Sequence, residues 1–334
     1  MQKQLLATGF FLLSLMFPFK VVAQNYKEIY VFGDSFSDTG YVFNYTNGAI
    51  PPNPTYYNGR FSNGPVWVEY LASDLGLNFN PKNDFAIGGS TTGTDNLGLS
   101  LLPGLKQQIN NFLTVNKSAD PNGLYIIWAG TNDYLKYFFD KTPNPTESVA
   151  NLSAAITSLA SVGAENILVA NLPDLGKFPV AGGNSQTASI LSSFTNAHNF
   201  DLTATINLLN QQLNPEVNII PLDINSLFNR IIADPQGFGF TNVTDSCVGK
   251  LSVVQIYISS NPVGCDVNKF SFLDEVHPTT ATHQLIGELA FLALKPASTP
   301  ESSTILGILT VGSLFVLLRR KPHSYQQEGN TNSK

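Results

Sequence analysis

Between about residue 26 and residue 294, short and nearly continuous apolar runs alternate with longer stretches in which apolar positions recur every three or four residues. The runs at 28–32, 84–87, 124–128, 166–171 and 217–221 are of the kind buried on both faces, and they predict strands. Trp67, Tyr70, Leu71 and Leu75, behind Pro65, share one helical face. So do Val149, Leu152, Ile156 and Leu159, and then Leu285, Ile286 and Leu289 near the end. Phe194, Ala197, Leu202, Ile206 and Leu209 predict a long helix between the fourth and fifth strands. Strands alternating with helices imply one doubly wound α/β domain around a mainly parallel, five-stranded sheet. Two stretches, 41–63 and 234–268, are rich in Asn, Pro, Gly and aromatics and read as loops or small insertions over a site. In an open sheet of this kind ligands sit beyond the carboxyl ends of the strands, so the residues that follow each strand are the ones to inspect.

The pattern changes at both ends. Residues 1–23 carry Lys3, an apolar stretch over 5–17, and Val21 and Ala23 before Gln24, the order of a secretory signal peptide cut after Ala23. The alternative is a membrane anchor, for which this apolar stretch is shorter than the roughly 20 residues that span a bilayer. After Leu294 comes a Pro/Ser/Thr linker, 295–304, then the largely apolar 305–318, the basic Arg319-Arg320-Lys321, and a tail over 322–334. An apolar helix with a basic stop suits a segment that holds an exported protein in the membrane, positive residues on the cytoplasmic side. This tail resembles the PEP-CTERM sorting signal, although Pro300-Glu301 is followed by Ser302 rather than proline. The resemblance implies processing by signal peptidase and an exosortase-type enzyme; a permanent short anchor or a last helix of the domain are the alternatives. The folded domain is thus expected over 24–294, in a protein exported to the cell envelope or surface, or secreted.

Composition narrows the partners. A formal charge of -6, with 18 Lys plus Arg spread thinly, leaves no basic footprint for nucleic acid. Cys247 and Cys265 lie 18 positions apart and fit an oxidising compartment. A disulfide closing that loop would contribute about 3 kcal/mol if unstrained; two free thiols are the alternative. No His stands beside either cysteine, so no metal ligand set is indicated.

Four blocks carry candidate chemistry. The first strand ends in Gly33-Asp34-Ser35-Phe36-Ser37-Asp38-Thr39-Gly40, which predicts Ser35 in a strand-to-helix turn, its N–H at a helix N-terminus. Gly88-Gly89-Ser90 follows the second strand, where backbone N–H groups can approach a substrate oxygen closely. Gly130-Thr131-Asn132-Asp133 follows the third and can project the Asn132 amide to the same point. Asp274 and His277, before Pro278 and the last helix, are spaced so that the carboxylate can orient the imidazole within one turn of chain. Each block alone has a bland reading: a helix cap for Ser35 or Asn132, a tight turn for the glycines, a structural histidine for His277.

Together, in this order, the blocks resemble the GDSL lipase/esterase family, also called SGNH hydrolases, from about residue 28 to 290. Asn171-Leu172-Pro173-Asp174-Leu175-Gly176 is another stretch typical of that family. The resemblance implies a three-layer α/β/α, flavodoxin-like fold and a cofactor-free hydrolase acting on carboxylic esters. It makes Ser35 the nucleophile, His277 the general base and Asp274 its orienting acid. The oxyanion hole would come from the N–H of Ser35, the N–H of Gly89 and the side chain of Asn132, with Gly88 or Gly89 left open as the donor. A lipid, an acylated small molecule or an acylated polysaccharide are all open as ester substrates. An acyltransferase of the same fold and an inactive cell-surface binding protein are the competing readings. Asp34, Asp38 and Asp133 are expected to hold loops, His198 and His283 to be structural, and Tyr56, Tyr57, Phe61 and Trp67 to be candidates for an acyl groove.

Overall fold

Four of the five apolar runs lie side by side. In the computed structural model, which describes residues 26–139, 142–248 and 265–295, they form strands β1 (Glu28–Gly33), β2 (Gly123–Trp128), β3 (Asn166–Ala170) and β4 (Asn218–Leu222). The predicted signal segment, and everything after Lys295, lie outside the described residues. The strands pair in parallel in the order β1-β2-β3-β4, with Gly33 opposite Trp128 and Ile127 opposite Val169. All of β2 and β3 is buried, which is why their runs carry no polar face. Edge strand β4 exposes Asn218 and Pro221, and proline, which has no N–H to donate, is tolerated there because among the described residues no further strand pairs with that edge.

The expected fifth strand is the exception. Residues 84–87 lie along the free edge of β1, where Asp84 bridges Val31 and the N–H groups of Phe85 and Ile87 donate to Val31 and Gly33 at 2.8 and 3.1 Å. The next rung is missing because Gly33 N–H goes to Gln108 Oε1 at 2.9 Å, and the outward Ala86 N–H is taken by the carboxylate of Asp84 at 3.0 Å. The sheet is therefore four-stranded with a bridged edge segment. Counting that segment, the chain steps outward from β1 and then crosses back to β2, so a topological switch point lies at the carboxyl end of β1.

Eight α-helices occur among the described residues: α1 (Tyr41–Tyr45), α2 (Trp67–Asp74), α3 (Leu105–Val115), α4 (Thr131–Leu135), α5 (Pro145–Ser161), α6 (Ser185–Gln212), α7 (Ile224–Ala233) and α8 (Thr280–Ala293). Alternation along β2 sorts them into layers. Leu124, Ile126 and Trp128 pack with Trp67 and Leu71 of α2, Phe228 of α7 and Ile286 of α8. Tyr125 and Ile127 pack with Ile109 of α3, Leu152 of α5 and Ile206 of α6. The result is the three-layer α/β/α fold. A separate parallel pair, β5 (Asn242–Ser246) with β6 (Phe270–Phe272), brings part of the predicted 234–268 loop into regular structure and leads into the segment of Asp274 and His277.

Candidate active site

Gly33 ends β1 where the backbone passes so close to its neighbour that a Cβ would overlap the Trp128 carbonyl oxygen. Beyond it the chain makes a single helical turn: Ser37 N–H and Asp38 N–H both donate to the Asp34 carbonyl at 3.0 Å, and Phe36 N–H donates to Asp34 Oδ1 at 3.1 Å. The expected helix at Ser35 is absent, since α1 begins only at Tyr41, so the serine does not stand at a helix N-terminus. Two supports hold the turn instead. Buried Gln108 of α3 accepts from Gly33 N–H at 2.9 Å and donates to its carbonyl at 2.8 Å. Trp67 Nε1–H donates to Ser37 Oγ at 3.0 Å.

Asp274 and His277 sit on a tight loop closed by Leu273 N–H donating to the His277 carbonyl at 2.8 Å. Asp274 is fully buried, and its Oδ1 accepts the N–H groups of Val276 and His277 at 2.8 and 2.7 Å. Its Oδ2 accepts His277 Nδ1–H at 2.7 Å, and His277 Nε2 lies 2.8 Å from Ser35 Oγ. Burial opposes the charge on Asp274, but the facing His277 and the hydrogen bonds from His277 and Tyr56 outweigh it and hold the carboxyl below its usual range. An ionised Asp274 only accepts, which places the imidazole proton on Nδ1 and leaves Nε2 to accept the Ser35 hydroxyl proton. Phe61 stacks on the imidazole with centroids 5.0 Å apart, and Phe36 meets its edge at 6.2 Å.

Ser35, Gly89 and Asn132, each with an N–H to offer, line the same pocket. Gly88 N–H donates to Asp38 Oδ2 at 2.8 Å, whereas the N–H groups of Gly89 and Ser35 have no acceptor among the described residues. Gly89 has a φ of 83°, and a Cβ there would clash with Asn96 Oδ1, both of which require glycine. Asn132, at the start of α4, donates one amide proton to the Ser90 carbonyl at 3.0 Å and has a second to offer. Asp133 accepts from Thr92 N–H, Thr92 Oγ1 and Ser148 Oγ at 2.8, 2.7 and 3.0 Å, fastening α4 to the glycine loop.

Ser35, Gly88, Gly89, Asn132 and His277 line one pocket, whose walls are otherwise apolar: Val42, Ile50, Pro51, Leu97, Leu99, Leu135 and Val276. The 41–63 stretch supplies part of that wall, including Tyr56 and Phe61. The described part of 234–268 supplies none, and 97–99 takes the place expected of it. Trp67 is core, and Tyr57 is exposed rather than part of the lining.

The remaining candidates have structural partners. Asp38 accepts the N–H groups of Gly40 and Tyr41 at 2.8 and 2.6 Å in addition to Gly88. His198 Nδ1 pairs with Tyr134 OH at 2.7 Å, and His283 Nδ1 accepts Trp67 N–H at 3.3 Å; burial pushes both down to about 3, so they stay neutral. Cys247 is paired with Cys265, Cα atoms 5.7 Å apart. Among the described residues no group of three His, Cys, Asp or Glu is arranged to hold a metal ion. The bond from Tyr56 OH to Asp274 Oδ2, at 2.5 Å, had no signal in the sequence.

Comparison with known proteins agrees in extent with the fold just described. The chain is 31% identical over 309 residues to a phosphatidylcholine-sterol acyltransferase of Aeromonas hydrophila, covering 79% of this chain and 89% of that protein. It is 30% identical over 274 residues to a thermolabile hemolysin of Vibrio parahaemolyticus, covering 78% of this chain and 62% of the hemolysin. Among solved structures, an aryl esterase of M. smegmatis aligns over 80% of this chain and 96% of its own, at 19% identity and a TM-score of 0.45. The family model of GDSL-like lipases and acylhydrolases matches residues 29–290, from the start of β1 into α8, and to that family the chain belongs.

Proposed function

We propose that this protein hydrolyses carboxylic esters through an acyl-enzyme on Ser35. The observation that carries the reading is the unbroken relay from Asp274 through His277 to Ser35, at 2.7 and 2.8 Å, beside an apolar pocket faced by unspent donors. His277 Nε2 takes the Ser35 proton as Oγ attacks the ester carbonyl. The N–H groups of Ser35 and Gly89 and the second amide proton of Asn132 receive the oxyanion, donors held in place before charge develops. His277 returns the proton to the departing alcohol. Water then enters, loses a proton to His277 and attacks the acyl carbonyl, and His277 hands that proton back to Ser35 as the acid departs. Asp274 holds the imidazole and stabilises its charged form throughout.

The apolar walls favour an acyl chain over a charged or sugar-like acid portion in the pocket. The name of the Aeromonas relative supports a second outcome of the same acyl-enzyme, in which an alcohol replaces water. Composition of the two ends supports an exported protein with a PEP-CTERM-like tail.

Hydrolysis of p-nitrophenyl esters from acetyl to palmitoyl, wild type beside Ser35→Ala, tests the reading. Activity on apolar acyl chains that is lost in the alanine variant is expected; activity undiminished in that variant contradicts it. Adding a sterol or simple alcohol and looking for the transferred ester separates hydrolase from transferase.

A further inference from the structure

The reaction sequence leaves one buried hydroxyl of the site without a role. Tyr56 lies 218 residues before Asp274, in the stretch that walls the acyl pocket, and is 1% exposed. Its ring packs against Leu273 and Val248 and meets the ring of Phe61 at 6.3 Å, the same Phe61 that stacks on His277. Its N–H donates to the Pro52 carbonyl at 3.1 Å, which fastens it to the pocket wall. The phenolic O–H donates to Asp274 Oδ2 at 2.5 Å, the oxygen that also accepts His277 Nδ1–H. Burial first, and then the charge of Asp274, push the phenol well above its ordinary range, so it stays protonated and can only donate to this carboxylate.

We propose that Tyr56 is a positioning residue that acts through Asp274, aiming Oδ2 at the imidazole and tying the acid to the wall of the acyl pocket. The proposal rests on the assignment of Ser35, His277 and Asp274 made above. With Oδ1 fixed by two backbone N–H groups and Oδ2 by the phenol and the imidazole, the carboxylate cannot turn about its own axis. Without the phenol a buried charged oxygen keeps a single donor, and the ionised acid that orients His277 is weakened.

A double-mutant cycle in the full-length chain, with p-nitrophenyl butyrate as probe, tests this. Tyr56→Phe is expected to lower kcat by about 10- to 100-fold, the range for losing a hydrogen bond to a charged group. KM should stay within about threefold, since the interaction serves the transition state rather than binding. In an Asp274→Asn background the same change should cost less than about twofold, because residues that act as one unit are non-additive. A merely structural tyrosine would carry its full loss into that background. The proposal is overturned by such additivity, or by a Tyr56→Phe enzyme within about twofold of wild type while Ser35→Ala is inactive. Retained hydrolysis in Ser35→Ala overturns the triad assignment itself, and the proposal with it. Circular dichroism and a melting curve check the fold; Tyr56→Met, which fills much of the same space without a donor, repeats the cycle if the phenylalanine variant does not fold.

Discussion

Gly88 and Gly89 are adjacent and line the same pocket as Ser35, yet the Gly88 N–H is spent on Asp38 while the Gly89 N–H has no acceptor among the described residues. A single buried carboxylate thus separates the two glycines, and on the proposed reading it leaves Gly89 to meet the oxyanion. The same economy governs Asn132, where the bond to the Ser90 carbonyl fixes the amide and leaves its second proton unspent, the one the proposed mechanism gives to the oxyanion. Asn132→Ala should therefore lower kcat by about 10² to 10³ with little change in KM, the cost of removing one oxyanion donor. Steady-state kinetics on a p-nitrophenyl ester checks it; a loss confined to KM would assign Asn132 to ground-state binding instead.

At the level of elements, strands buried on both faces and helices with one apolar face announce themselves, which is why β1 to β4, α2, α5, α6 and α8 were legible in the sequence. The run at 84–87 has a strand's composition but only two ladder bonds, because the Gly33 N–H that would make the next rung is taken by the side chain of Gln108. Ser35 follows a strand as predicted, yet a single turn capped by Asp34 replaces the helix, since the chain must swing outward toward the edge segment. The order of the four chemical blocks was readable because each follows a strand or precedes the last helix. What remained silent were contacts with no local pattern: Gln108 reaching Gly33 across 75 positions and Tyr56 reaching Asp274 across 218. Neither residue type nor spacing distinguishes such a side chain from an ordinary core or groove residue.

Over the whole molecule, buried ionisable groups set how stability follows pH. Burial pushes Asp34 up to about 7 and Asp84 up to about 8, the latter with Asp38 adding to the effect. The folded state therefore keeps protons that the unfolded chain has released, and this contribution is lost as pH rises through those values. Buried His198 and His283, near 3, act in the opposite sense, but only below their unfolded value of 6.5. Below that pH the two effects oppose each other; above it the carboxylates act alone. The melting temperature should fall steadily from about pH 6.5 to about pH 8, and a profile that rises across that window would contradict the protonated state of these acids. The central claim is chemical, and covalent labelling tests it most directly. The intact protein is treated with an alkyl fluorophosphonate and the modified peptide is mapped by tandem mass spectrometry. One adduct on Ser35, formed at a rate that collapses in His277→Ala, is the predicted result; no adduct, or one on another serine, would contradict the account.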